Sequence, residues 1–278
     1  MDISASADWG YLLALALTLV ASGAVAGFLA GVFGIGGGAV LVPVLYQFLT
    51  ILGVDPAICM HVSVATSLGI IVPTSLRSFM AHKAHGAVDL KLLKSWLIPV
   101  PAGVVIASLL AAYVSGTELK GIFAVIAAVI GLRMLLNRDS WRIGHDIPGN
   151  PVRAICGMLI GFFSTLMGIG GGVMNNTFMT LFGRPIHQAV ATSSGIGTLI
   201  SVPGVIGLMW AGWGEPNLPP FSLGYVNLLG VALVIPVTIL VAPLGVKVAH
   251  ALPKRVLEVS FGLFLLLVAA RFALSLWG

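Results

Sequence analysis

Long stretches without a charged side chain dominate this sequence and restrict what it can fold into. They cover residues 9–54, 95–117, 121–132, 154–183, 185–214 and 216–246. A helix needs about 20 apolar residues to cross a bilayer, and several of these stretches are longer than that. Only 8% of the residues are charged, against about 25% in a soluble domain. Because a helix satisfies its own backbone hydrogen bonds in lipid, we predict an all-α polytopic membrane protein.

A glycine motif occurs twice and divides the chain into two halves. Gly34-Ile35-Gly36-Gly37-Gly38 returns as Gly168-Ile169-Gly170-Gly171-Gly172. Each copy is followed by the pattern His-x-x-Val-Ala-Thr-Ser-x-Gly-Ile, which starts at His61 and at His187. Such self-similarity indicates an internal duplication. We predict a first transmembrane repeat at residues 1–137, a cytoplasmic linker at 138–150 and a second transmembrane repeat at 151–278.

The basic residues indicate how the two halves are inserted. Twelve of the fourteen Lys and Arg residues fall in segments 77–94, 133–153 and 247–255 or at Arg184. If these segments are cytoplasmic, as the positive-inside rule expects, both termini lie outside and the halves are inverted relative to each other. Inverted repeats are typical of secondary transporters, and we predict a multi-pass protein of the cell (inner) membrane. A duplication with a purely structural outcome is the alternative.

The second glycine run interrupts an unusual apolar stretch. The 30 uncharged residues at 154–183 are too many for one span and too few for two. A piece of about 14 residues covers about 21 Å, less than the hydrocarbon core of about 30 Å. We therefore predict two half-helices that meet inside the membrane at the glycines. The first half allows the same element, although its leading helix at residues 9–33 is long enough to cross completely.

The glycine runs predict a binding site made from backbone. Consecutive glycines favour an unwound segment, because each costs roughly 1 kcal/mol relative to alanine inside a helix. The helix that restarts after each run directs its free N–H groups and positive dipole end toward the membrane interior, where an anion is stabilised. The candidate contacts are Gly36, Gly37, Gly38, Gly170, Gly171 and Gly172. Close helix crossing is the alternative use of these glycines.

Hydroxyl and amide side chains supply further candidates. Thr66-Ser67 and Thr192-Ser193 occupy matching positions in the two halves and are predicted to donate to the oxygens of a substrate. Such hydroxyls also commonly bond back to their own helix. Asn175 and Asn176 follow the second glycine run, whereas the first half has Leu41 and Val42 there. These amides are predicted substrate contacts that set selectivity, with hydrogen bonding between helices as the alternative.

His61 and His187 are candidates for coupling or gating. Histidine titrates near neutral pH, so either residue is able to carry a coupling proton or to gate an anion electrostatically. An interfacial or hydrogen-bonded histidine is the plainer interpretation.

Several function classes find no support in the sequence. Cys59 and Cys156 lie in different halves, so neither a disulfide nor a metal pair is predicted. The apolar stretches lack carboxylates and contain no HExxH motif, which disfavours a metal or organic-cation carrier and an enzyme. We expect no cofactor, no metal and no nucleic acid; the expected partners are a small anionic substrate and the lipid bilayer. The oligomeric state is left open.

At this point the motifs resemble those of a known family. They are Gly27-Phe28 with the first glycine run, Pro43, Ala65-Thr66-Ser67, Gly86-x-Val88-Asp89 and the second glycine run. Together they are similar to the TauE/SafE family of sulfite and sulfonate exporters over nearly the whole chain. The resemblance implies outward movement of a small sulfur-containing anion across the cytoplasmic membrane. The second half departs from the pattern at Asn175-Asn176-Thr177 and at Asn227, which stands where the first half has Asp89.

The sequence therefore predicts a secondary transporter that exports sulfite or an organosulfonate by alternating access. An anion channel and a carrier for a non-sulfur organic anion remain alternatives.

Overall fold

The structure is a computed structural model that describes residues 9–33, 38–136, 142–144 and 146–276. In the first half the helices are α1 (Trp9–Phe33), α2 (Gly38–Ile51), α3 (Pro56–Ala84), α4 (Leu90–Ser95), α5 (Pro99–Ala111) and α6 (Gly116–Leu136). In the second half they are α7 (Val152–Leu166), α8 (Gly172–Leu181), α9 (Ile186–Ala211), α10 (Leu228–His250) and α11 (Lys254–Leu274). Between α9 and α10, β1 (Ser222–Leu223) and β2 (Val226–Asn227) form a two-stranded antiparallel hairpin.

Six helices are long and apolar enough to cross a membrane. They correspond to α1, α3, α6, α9, α10 and α11, and three shorter apolar helices, α2, α5 and α7, accompany them. The prediction of an all-α polytopic membrane protein is confirmed. The chain is a multi-pass membrane protein.

Local sequence signals set where several helices begin. Asp55 accepts a hydrogen bond from the Ala57 N–H at 2.9 Å, and Pro56 starts α3 without needing a donor. Asp89 caps α4 through the Leu92 N–H at 3.0 Å. Asn227 caps α10 through the Gly230 N–H at 2.6 Å. Asp89 and Asn227, which correspond in the two halves, therefore both cap the start of a helix.

The centre of the protein consists of α3 and α9, which pack against each other. In the most apolar stretch of α3, 78% of the residues are buried, and in that of α9 the share is 56%. In α10 and α11 the corresponding shares are 17% and 28%. A membrane helix that exposes most of its apolar surface contacts lipid, so α10 and α11 lie at the periphery. The two helices that carry the repeated His-x-x-Val-Ala-Thr-Ser pattern are thus the central pair.

Close glycine contacts recur between matching helices. Gly27 on α1 packs against the backbone of Thr238 on α10, and Gly161, its counterpart on α7, packs against the backbone of Val100 on α5. Without a side chain, each glycine lets the two helix backbones approach closely. The α1–α10 and α5–α7 pairs are the ones expected to match in two inverted repeats, and the architecture is consistent with that arrangement.

The α7–α8 pair has the dimensions of a re-entrant element. α7 has 15 residues and α8 has 10, which gives lengths of about 22 and 15 Å. The Ile143 N–H donates to the Leu181 carbonyl at 2.9 Å, and Arg184 forms a 2.7 Å ion pair with Asp146. The segment before α7 therefore lies beside the end of α8. In the first half α1 has 25 residues, about 37 Å, enough to cross completely.

Candidate functional site

The candidate site centres on the turn between α7 and α8. The Gly168 and Ile169 N–H groups bond to the Thr165 and Ser164 carbonyls at 3.0 and 2.8 Å and close the end of α7. Gly168 and Gly171 have φ values of +64° and +72°, in the left-handed region that favours glycine. The chain is thereby able to reverse within a few residues. The second glycine run forms the turn that was predicted between two half-helices.

The N–H groups of residues 170–174 are free within the described parts of the chain. The first backbone bond of α8 joins the Asn175 N–H to the Gly171 carbonyl at 2.9 Å, and no side chain caps the helix. These donors, together with the positive end of the helix dipole, form an arrangement suited to an anion. Gly170 and Gly172 are partly exposed, whereas Gly171 is buried, so a small ligand can reach part of this backbone.

The start of α2 lies against this turn. A Cβ atom added to Gly38 would lie 2.9 Å from the Ile169 Cα and 3.1 Å from the Gly168 carbonyl oxygen. A Cβ atom on Gly170 would lie 2.9 Å from Cγ2 of Ile71 and 3.4 Å from the Cα of Gly197, on the central helices. The structure thus brings Gly38 to the second glycine run. Gly36 and Gly37 lie outside the described residues.

Ser67 holds the turn in place. Its Oγ donates to the Gly168 carbonyl at 2.8 Å, and its side chain is buried. This bond connects the central helix α3 to the second glycine run, 101 residues away in sequence. The Ser67 proton is directed at the protein backbone. The predicted role of Ser67 as a substrate contact stays a prediction.

Ser193, the counterpart of Ser67, joins two amides. The Asn175 Nδ2 donates to Ser193 Oγ at 2.7 Å, and Ser193 Oγ lies 2.7 Å from Asn176 Oδ1. Asn175 is completely buried, and no partner for its Oδ1 exists among the residues that the structure describes. An unsatisfied buried acceptor costs about 1–3 kcal/mol. Asn176 is partly exposed. Three predicted contacts, Asn175, Asn176 and Ser193, therefore form one hydrogen-bonded group.

The two repeated threonines form reciprocal contacts between the halves. Thr66 Oγ1 accepts from the Asn227 N–H at 3.0 Å, and Thr192 Oγ1 accepts from the Asp89 N–H at 2.9 Å. Thr192 also donates to the Gln188 carbonyl at 2.7 Å. Each threonine thus binds the residue that caps a helix of the opposite half. The sequence comparison paired Asp89 with Asn227, yet it gave no sign of these contacts.

The two histidines lie in unlike surroundings. His61 is 3% exposed, its ring stacks on Tyr225 with centroids 4.6 Å apart, and its Nε2 lies 3.0 Å from the Val114 carbonyl. A carbonyl oxygen only accepts, so Nε2 carries a hydrogen. Nδ1 is buried without a partner in the part of the chain that is described. His187 is exposed near the start of α9. The repeated motif therefore does not give the two residues the same environment.

The connection between α9 and α10 covers His61. Tyr225 is buried there, and burial raises the pKa of its phenol, with the nearby Glu215 carboxylate adding to the effect. The Tyr225 N–H donates to the Leu208 carbonyl at 3.3 Å, which fixes this connection to the end of α9. A neutral phenol ring therefore faces the imidazole.

Four polar residues near the site were not among the predicted contacts. Ser75 Oγ lies 3.2 Å from Thr198 Oγ1 between α3 and α9, next to Gly197. Arg133 on α6 donates to Thr177 Oγ1 on α8 at 2.6 Å. Thr177 belongs to the segment in which the second half differs from the first. This difference, visible in the sequence, is the signal that points to the contact between Arg133 and Thr177.

The donor set of the site suits an anion better than a cation. Among the described residues, no group of three or more His, Cys, Asp or Glu side chains is placed to hold a metal ion. Cys59 and Cys156 are free thiols. Backbone N–H groups and an amide are neutral donors, and they stabilise negative charge without a buried lysine or arginine.

The sequence matches the family described as Sulfite exporter TauE/SafE over residues 19–272. A probable membrane transporter protein of Haemophilus influenzae is 34% identical over 89% of this chain and 94% of that protein. A probable membrane transporter protein of Methanocaldococcus jannaschii is 27% identical over 94% and 98% of the two chains. The probable membrane transporter protein YunE of Bacillus subtilis is 29% identical over 70% and 78%. No solved structure matches the chain. The chain therefore belongs to the TauE/SafE sulfite exporter family of membrane transporters.

Proposed function

We propose that this protein exports a small sulfur-containing anion, sulfite or an organosulfonate, across the cytoplasmic membrane by alternating access. The observation that carries the proposal is the uncapped start of α8, where the N–H groups of residues 170–174 have no partner among the residues that the structure describes. The oxygens of sulfite and of a sulfonate accept hydrogen bonds and carry negative charge, so they complement these donors and the helix dipole. The family description supports the sulfur-containing substrate.

The proposed substrate site lies between the two glycine runs. Gly38, at the start of α2, faces the turn that contains Gly170, Gly171 and Gly172. In the inverted-repeat arrangement each run belongs to one half, so movement of one half against the other changes the side from which the site is reached. Gly36 and Gly37 are included in the proposed site because they belong to the same run as Gly38.

The proposed orientation and coupling follow from the charges and the histidines. The basic segments lie on the cytoplasmic side of the membrane, and both termini lie on the outer side. Of the two histidines, we favour His61 for coupling, because its Nδ1 has no partner among the described residues and is therefore available to accept a proton. His187 is exposed, and a role in attracting the anion suits it better. No covalent chemistry is part of this function.

Counterflow in proteoliposomes tests the proposal. Purified protein is reconstituted into vesicles loaded with unlabelled sulfite or ethanesulfonate, and entry of the labelled anion is measured. A carrier shows accelerated entry when the anion is present on the opposite side. Absence of flux for every sulfur-containing anion would reject the proposed substrate, and flux without such acceleration would favour an anion channel.

A matched glycine pair tests the site itself. Gly170→Ala places a methyl group 2.9 Å from Ile71 Cγ2, whereas at Gly121 on α6 the added methyl group meets only the end of Leu276 at 3.6 Å. We expect Gly170→Ala to abolish counterflow and Gly121→Ala to retain it, at equal amounts of reconstituted protein. Equal counterflow in the two variants would contradict the assignment of the glycine turn.

A further inference from the structure

The amides of α8 distinguish the second half from the first. Asn175 and Asn176 follow the glycine turn, and Leu41 and Val42 take their places in the first half. The two amides differ in accessibility, because Asn175 is completely buried and Asn176 is partly exposed. Their hydrogen bonds determine which end of each amide faces which neighbour.

The surroundings of Asn175 fix the orientation of its amide. Its Nδ2 lies 3.4 Å from the Ala189 carbonyl oxygen and 3.4 Å from the Met179 sulfur. A carbonyl oxygen accepts hydrogen bonds and does not donate, so the nitrogen and not the oxygen of the amide faces it. The second hydrogen of Nδ2 is directed to Ser193 Oγ at 2.7 Å. Ser193 therefore acts as an acceptor toward Asn175.

The orientation of Asn175 in turn decides that of Asn176. A serine hydroxyl has one hydrogen, and that of Ser193 remains available after it has accepted from Asn175. Asn176 Oδ1 lies 2.7 Å from Ser193 Oγ and accepts this hydrogen. The Asn176 nitrogen is consequently turned away from Ser193, and it has no hydrogen-bond partner within the described residues.

The free nitrogen of Asn176 lies on the face of α8 that contains Gly172. The two residues are four apart, and helix side chains lean toward the N-terminus of the helix. The Asn176 side chain therefore leans toward the partly exposed Gly172, whose N–H is one of the free donors. Backbone and side chain present donors on the same face.

We propose, on the basis of the proposed function, that the Asn176 NH2 group contacts the transported oxyanion directly. Asn175 and Ser193 are positioning residues, because their hydrogen bonds keep the Asn176 nitrogen turned away from Ser193. A site composed of donors selects an anion whose oxygens all accept hydrogen bonds. Sulfonates and the sulfite dianion meet this condition, whereas hydrogen phosphate carries a proton that these N–H donors do not accept.

The hydrogen-bonded chain from Asn175 through Ser193 to Asn176 is called the relay below. Binding measurements on four variants test it. The dissociation constants of ethanesulfonate and of inorganic phosphate are measured at pH 7.5 on purified protein by equilibrium dialysis. The variants are Asn176→Leu, Ser193→Ala, Ser193→Thr and, as the matched control in the first half, Ser63→Ala, whose hydroxyl bonds within its own helix. Melting temperatures establish that each variant is folded, and Asn176→Ser replaces Asn176→Leu if the latter is not.

We expect Asn176→Leu to weaken ethanesulfonate binding about tenfold or more, as loss of a hydrogen bond to a charged group does. In Ser193→Ala the Asn176 amide is free to present its oxygen, so the preference for ethanesulfonate over phosphate decreases. Ser193→Thr keeps a hydroxyl and restores the preference. Ser63→Ala leaves the preference unchanged, because the Ser63 hydroxyl bonds to the Cys59 carbonyl of its own helix.

Three outcomes separate the relay from the proposed function. Wild-type affinity for ethanesulfonate in folded Asn176→Leu overturns the direct contact. An unchanged preference in Ser193→Ala, whatever the change in affinity, overturns the positioning role, because a purely structural residue affects both anions alike. If the wild-type protein binds neither sulfite nor ethanesulfonate, the proposed function fails, and the relay fails with it.

Discussion

Replacement of Gly168 by alanine tests whether the glycine turn depends on both backbone conformation and close packing. Gly168 has φ +64°, and its added Cβ would lie 2.9 Å from the Cα and the carbonyl oxygen of Val64 and 2.7 Å from Val42 Cγ2. Gly53 is a matched control, because it has φ +75° and nothing within 4 Å of an added Cβ.

The two variants are expected to differ by the packing cost alone. The left-handed conformation costs an alanine about 1–2 kcal/mol at either position. Overpacking against the backbone of α3 adds about 1–3 kcal/mol at Gly168 only. The expected totals are therefore about 2–5 kcal/mol for Gly168→Ala and about 1–2 kcal/mol for Gly53→Ala.

Thermal unfolding and counterflow of the same preparations provide the assay. We expect Gly168→Ala to melt at a lower temperature than Gly53→Ala and to lose transport, because the displaced turn no longer directs its N–H groups at the site. Gly53→Ala retains transport. Equal melting temperatures together with normal transport in Gly168→Ala would refute the reasoning.

Further predictions concern the threonine contacts and the histidines. Thr66→Val and Thr192→Val each leave a backbone N–H of the opposite half without its acceptor, which costs about 1–3 kcal/mol when the group is buried. We expect transport to slow while the affinity for ethanesulfonate is retained. Ser63→Ala is the control, because its hydroxyl bonds within α3. Equal transport rates in all three would contradict this. His61→Gln abolishes stimulation of transport by a pH gradient, whereas His187→Gln retains it; a preserved response in His61→Gln excludes His61 as the coupling residue.

The sequence predicts the spans and the break in α7–α8 well, because both depend on local composition. The length of the uncharged stretch at residues 154–183 alone indicates that its helix is interrupted, and the glycines indicate the position of the break. The same locality explains why the caps at Asp55 and Asp89 begin helices where they do.

The contacts of the site depend on tertiary structure and are not accessible to the same reasoning. The Thr66–Asn227 and Ser67–Gly168 bonds join residues 161 and 101 positions apart, and no periodicity specifies such pairs. The matching motifs around His61 and His187 also give no sign that one histidine is buried and the other exposed. The two environments differ because Tyr225, in a connection that follows only the second central helix, covers His61.

Hydrogen exchange at the glycine turn is the most direct test of the central claim, that free backbone N–H groups at the start of α8 bind the anion. Exchange of residues 170–174 is followed by mass spectrometry with and without saturating sulfite, and peptides from α11 serve as the internal control. We predict that sulfite slows exchange in the turn and leaves α11 unchanged. Unchanged exchange at residues 170–174 in protein that is saturated with sulfite would contradict a backbone anion site at this position.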